Sequence, residues 1–164
     1  MRSQLQSGEF ESGAEREELE RLSREGMMDQ RLAETLWRSG HHDARMVAVK
    51  LADPKRCSRY RLDSWLASAH DESEIEGVAR VAAQTSLAYE TALNWIHSDA
   101  ERTSLAGWSL VTELAGAGKL DSERAAALLE CVDEELDRTA GTKSDAVLKA
   151  RGILESTFPE IGGE

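Results

Sequence analysis

The sequence has 164 residues, 40% hydrophobic and 31% charged, with a formal net charge of −11. A chain of that length buries roughly 70% of its unfolded surface and needs neither a disulfide nor a metal to fold. Its two cysteines, Cys57 and Cys131, stand far apart without a Cys/His cluster, which excludes a zinc finger and suits a reducing compartment, and no apolar run reaches the roughly 20 residues of a membrane span. The expectation is one cytoplasmic domain with no membrane partner.

Residues 1–13, MRSQLQSGEFESG, carry little periodic apolar character and are expected to be a disordered tail, as are residues 159–164 at the other end. Between them, residues 14–158 read as one helical domain. Only Pro54 and Pro159 occur in the sequence, and apolar residues recur at spacings of three and four, never in two-residue alternation. Leu19 and Leu22 mark the first helix, Leu32 to Trp37 the second and Ala44 to Leu51 the third. Leu62 to Ala69, Ile75 to Ala82 and Ala88 to Trp95 mark the next three. Leu105 to Val111, Leu128 to Leu136 and Ala146 to Leu154 complete nine.

Punctuation supports these boundaries. Gly40 suits a left-handed helix end, Asp53-Pro54 forces a turn, Ser98 with Glu101 reads as a capping box, and Asp121 and Thr142 start later helices. Helices this short gain little stability alone, and connections of a few residues stack neighbours antiparallel. Aligning the tryptophans exposes a repeat: WRSGHHDAR from Trp37, WLASAHDES from Trp65 and WIHSDAER from Trp95. Each runs from tryptophan through a helix end and a polar corner to the next helix start. A self-similar two-helix unit predicts an all-α, HEAT-like solenoid of stacked antiparallel pairs.

Charge is unevenly spread. Between Arg38 and Arg61 seven basic residues (Arg38, Arg45, Lys50, Lys55, Arg56, Arg59, Arg61) face two acids, Asp43 and Asp53, a local +5 within an acidic chain. In LWRSGHHDAR, residues 36–45, the free N–H groups of a helix start near His42, with Arg45 one turn in, form a seat for phosphate or carboxylate. The same pattern also fits a corner whose histidines cap the preceding helix and face water. Adjacent His41, His42 and Asp43 do not converge on one ion by themselves, so no metal or cofactor is expected. The four tryptophans read as a base-stacking wall or, on their apolar stripes, as core, and Glu72, Glu74 and Glu76 as a solvated helix start. No nucleophile triad, phosphate loop or HExxH motif is present.

The stretch LERLSREGMMDQRLAETLWRSGHHDARMVAVKLADPKR, followed by LDSW and AYETALNW, resembles the AlkD-type DNA alkylation repair family, HEAT-like-repeat alkylpurine DNA glycosylases. The pattern is carried by Leu36, Trp37, Gly40, His42, Asp43, Ala44 and Arg45, with Asp53-Pro54 one helix later. The resemblance covers most of residues 19–115. It implies a concave basic face that holds duplex DNA by the backbone, and removal of N3- or N7-alkylated purines with an aromatic cleft and a carboxylate stabilising the cationic transition state. Continued without a gap, the family's catalytic tryptophan and aspartate fall at Glu72 and Glu76, and its catalytic arginine at Leu105. The tryptophan is missing, and Glu76 keeps a negative charge as the candidate catalytic residue of an active form. The expectation is a weakly active or non-catalytic DNA-binding relative. Duplex DNA would be contacted by Arg38, His41, His42, Arg45, Lys55, Arg56 and Arg59; the alternative is a protein-interaction scaffold on the same repeats.

Overall fold

The computed structural model describes residues 13–138 and 142–162. The expected disordered tail lies, apart from Gly13, outside the described residues. Nine α-helices and no strand occur among those residues: α1 (Gly13–Arg24), α2 (Gln30–Arg38), α3 (His42–Leu51), α4 (Arg59–Ser68), α5 (Glu72–Ala83), α6 (Ala88–Ile96), α7 (Glu101–Gly116), α8 (Ser122–Arg138) and α9 (Thr142–Thr157). Each apolar stripe has become one helix.

The chain forms two compact units, residues 1–86 and 87–164. In the first, α3 is central and packs against α1, α2 and α5, while α4 packs on α5. Ala33, Leu36, Ala44, Ala48, Leu51, Leu62, Leu66, Val78, Ala79 and Ala82 form its core, each at most 1% exposed. Small residues dominate the seams, which lets the short helices approach closely. In the second unit α6 packs on α7, α7 on α9 and α8 on α9, around Ala92, Trp95, Trp108, Leu110, Val111, Leu128, Val132, Val147, Ala150 and Leu154. Gly107 is where α7 meets α6: a Cβ there would lie 2.5 Å from the Ile96 backbone nitrogen.

Helix starts follow the short polar side chains. Asp29 Oδ1 accepts from Leu32 N at 3.0 Å, Asp71 Oδ1 from Glu74 N at 2.9 Å and Asp121 Oδ1 from Arg124 N at 2.8 Å, each satisfying one orphan donor of a first turn. The capping box expected of Ser98 and Glu101 does not form. Residue 100 is the N-cap of α7 and offers no side-chain bond, and the Ser98 hydroxyl instead accepts from Ala100 N at 3.2 Å. The chain bends through Asp99 and Ala100 before the helix begins, so the serine sits two residues too early to reach the first turn. Beyond α9, Ile161 N donates to Phe158 O at 3.0 Å and Ser122 Oγ bonds Glu160 Oε1 at 3.2 Å, which folds residues 159–162 into a turn near the start of α8.

The tryptophan repeat marks the same place in three helix pairs. Trp37, Trp65 and Trp95 each stand in the last turn of the first helix of a pair, followed by corners at 39–41, 69–71 and 97–100. All four tryptophans are buried, at most 4% exposed, so they are core and not a stacking wall.

Candidate functional site

Gly40, at φ +77°, carries the backbone through the left-handed region between α2 and α3, which costs a residue with a Cβ roughly 1–2 kcal/mol. Three residues on from the α3 start, Arg45 points inward and is only 5% exposed. Its Nε donates to Trp37 O at 3.1 Å and its Nη1 to Ser68 O at 2.7 Å, carbonyls from the last turns of α2 and α4, the first of which otherwise accepts only the 3.3 Å bond from Gly40 N. The same Nη1 meets Glu74 Oε2 at 2.8 Å, and the Glu74 side chain is fully buried. His70 N also donates to Glu74 Oε2, at 2.8 Å. A guanidinium can donate five hydrogen bonds in a fixed fork; here that fork joins two helix ends to a carboxylate on α5. Trp37 lies under the group, with Arg45 Cζ 4.8 Å from its ring centre, and stacks on Trp65 at 4.7 Å with the planes 6° apart. Trp37 Nε1 donates to Ser68 Oγ at 2.8 Å.

His42 sits at the rim of this network, half exposed. Its Nδ1 is 2.8 Å from Asp71 Oδ2 and 3.3 Å from Glu74 Oε1. The ring thus turns towards the acids at the start of α5 rather than capping α2. His41 is the exposed N-cap of α3 without a side-chain cap bond, and exposed Arg38 Nε donates to Glu34 O at 3.3 Å.

The remaining basic residues lie at the other end of α3. Ten residues at 1.5 Å each separate the two ends by roughly 15 Å. After Leu51, Asp53 O accepts from Arg56 N at 2.9 Å and Asp53 Oδ1 from Lys55 N at 3.0 Å, the turn expected of Asp-Pro. The buried Gln30 side chain holds this loop, since its Oε1 accepts from Asp53 N at 2.9 Å and from Cys57 Sγ at 3.3 Å. Burial pushes the Cys57 thiol up from its ordinary range. Ser58 caps α4 by accepting from Arg61 N at 3.2 Å. Arg59 pairs with Asp63 at 3.5 Å and Arg61 with Glu34 at 3.0 Å. Lys50, Lys55 and Arg56 are exposed and meet no carboxylate among the described residues, and Tyr60 beside them is 83% exposed.

The residues expected to contact DNA therefore separate into two groups. Arg38, His41, His42 and Arg45 gather at the α2–α3 corner, with Arg45 turned into the interior, whereas Lys55, Arg56 and Arg59 gather on the α3–α4 loop. Glu76 is one-third exposed and lies 3.7 Å from Arg80, one turn further along α5. Leu105 is half-buried on α7. Glu74, read from sequence as part of a solvated helix start, is instead at the centre of the corner. Its signal was the Asp71-x-x-Glu74 spacing of a capping box, here adapted so that the glutamate reaches His70 N instead of the cap residue.

The family profile described as DNA alkylation repair enzyme matches residues 13–152. The chain belongs to the DNA alkylation repair enzyme family. A solved structure shares the fold of this family member with a TM-score of 0.78 and 24% identity; it is described as one of a new family of proteins related to the HEAT-like repeat DNA glycosylases with affinity for branched DNA structures. The alignment covers 86% of the present chain and 62% of the length of that relative. The α2/α3, α4/α5 and α6/α7 pairs match the HEAT-like repeat fold of this family. No curated protein sequence matches the chain.

Proposed function

We propose that this DNA alkylation repair family member binds DNA through the α3–α4 loop, and does so without efficient base excision. The observation that carries the reading is the group of exposed cations Lys50, Lys55 and Arg56, which meet no carboxylate among the described residues, in a chain of net charge −11. Neutralising phosphates with such groups releases condensed counterions and drives association. Arg59 is held close by Asp63 and adds to the same loop. Tyr60, 83% exposed on the first turn of α4, offers a ring on which an exposed base face stacks, a contact that an opened branch point or a single-stranded end provides and the interior of an intact duplex does not. The affinity of the structural relative for branched DNA supports the same preference.

The absence of excision rests on three side chains. Glu72 stands where the resemblance puts an aromatic group, Leu105 where it puts a guanidinium, and Glu76 is engaged with Arg80. A site so altered retains one carboxylate and lacks both the ring and the cation.

The test is a salt-dependent titration of labelled four-way junction and linear duplex. Binding should favour the junction and weaken steeply with salt. The Lys50→Glu, Lys55→Glu, Arg56→Glu triple variant should flatten the salt slope by about 2–3. Arg45 is left intact because its removal disturbs the fold rather than the surface. Unchanged binding by the triple variant, or a stoichiometric protein partner with no bound nucleic acid, would reject the proposal in favour of the scaffold reading. N3- or N7-methylated DNA should release no base; release that Glu76→Gln abolishes would reject the non-catalytic half.

A further inference from the structure

The rim of the buried corner carries a chemistry that DNA binding does not use. His42 Nδ1, Asp71 Oδ2 and Glu74 Oε1 lie within 4.8 Å of one another, and they come from the first turn of α3, the N-cap of α5 and the first turn of α5. We propose that these three atoms form a binding site for a first-row divalent cation of the zinc type.

Three observations carry this. The first is donor type and spacing. Bonds of 2.0–2.1 Å in tetrahedral geometry set ligand atoms about 3.3 Å apart, and the nitrogen stands 2.8 and 3.3 Å from the two oxygens. The two carboxylate oxygens lie within 4.8 Å of each other, and the half-exposed His42 and Asp71 side chains are free to turn and close the set around an ion, with the solvent side open to water as the fourth ligand.

The second is how each carboxylate is held. Glu74 Oε2 is occupied by Arg45 Nη1 and His70 N, and Asp71 Oδ1 by Glu74 N. The opposite oxygen of each therefore faces His42. Outer contacts of this kind orient ligands in metal sites. Arg45 does not occupy the same oxygen as the ion, and two carboxylates against one guanidinium leave a net negative charge at the site.

The third is an imbalance of protons. His42 Nδ1 carries at most one hydrogen, so it can give only one of the two carboxylate oxygens a strong bond, whereas a divalent ion would satisfy both along with the nitrogen. Helices α3 and α5 would then be joined at their starts by coordination in addition to the Arg45–Glu74 pair.

The experiment is calorimetric titration of the full chain with Zn2+, repeated with Co2+ followed by visible absorption. One equivalent should bind, and the Co2+ form should show d–d bands without the near-ultraviolet charge transfer of a thiolate, which separates this site from Cys57 and Cys131. Stoichiometric binding should be lost both in His42→Ala and in Asp71→Asn, whose helical circular dichroism should match the parent. Glu74 is left intact, since its removal would unfold the corner. No stoichiometric binding, thiolate bands, or binding that survives either variant would overturn the proposal.

Discussion

Arg45→Met tests the corner directly. Truncating the guanidinium leaves the Glu74 carboxylate, fully buried, without its cation, removes the donor of Ser68 O and leaves Trp37 O only the 3.3 Å bond from Gly40 N. Breaking a buried ion pair from one side costs about 3–5 kcal/mol, because the remaining charge stays desolvated and uncompensated. Glu74→Gln strands the guanidinium in the same way and should cost a similar amount. Adding the two gives about 6–10 kcal/mol if they were independent. They are not independent, since the double variant leaves no charge uncompensated. It retains the unpaired Ser68 carbonyl and the space left by the guanidinium, so it should fall near the cost of one single variant, with a coupling energy of about 3 kcal/mol or more. Urea unfolding followed by tryptophan fluorescence measures all four proteins, with Trp37 and Trp65 beside the perturbed group. Single variants that each lose under about 1 kcal/mol, the range of exposed pairs, would refute the reasoning, and so would a double variant that loses the full sum.

Gly107→Ala places a methyl 2.5 Å from Ile96 N and 2.8 Å from Trp95 C, backbone atoms that cannot turn aside, so α6 and α7 must separate. The helix-propensity gain of about 1 kcal/mol is outweighed by overpacking of about 3 kcal/mol, and the urea midpoint should fall. Gly152→Ala, mid-helix on α9 with nothing within 4 Å, should raise it by about 0.5–1 kcal/mol; equal shifts at both positions would contradict the close-approach argument. Burial raises the Cys57 thiol above its ordinary range, so the folded state favours the neutral form. That contribution is whole below the unfolded thiol range near about 8.5 and fades as pH rises through the folded value. Urea midpoints of the parent should therefore decline above about pH 8.5 more than those of Cys57→Ala, and parallel profiles would remove Cys57 from the account.

The nine helices among the described residues were legible because each stripe of three-and-four spacing is enough to bury one face, and the corners because Gly40, Asp53-Pro54 and Asp121 leave few backbone choices. The Ser98–Glu101 pattern misled because the correct residues at the correct interval do not fix where a helix begins. The site was harder. Arg45 adjoins the stripe Ala44, Val47 and Ala48, and local spacing cannot distinguish an arginine at the solvent edge from one turned inward. What turns it inward is Glu74, 29 positions away. The basic segment looked continuous in sequence because linear counting ignores helix length; α3 carries its two halves to opposite ends.

One guanidinium touches the end of its own repeat's first helix, the end of the next repeat's first helix and the start of the next repeat's second. A chain cut between α3 and α4 would leave a hairpin with an inward cation and nothing to neutralise it. A fragment that keeps this corner intact therefore needs at least the four helices α2 to α5. Gain or loss of a single two-helix module here would have to preserve an arginine on one side and a glutamate on the other, so modules can be exchanged at this boundary only in matched pairs.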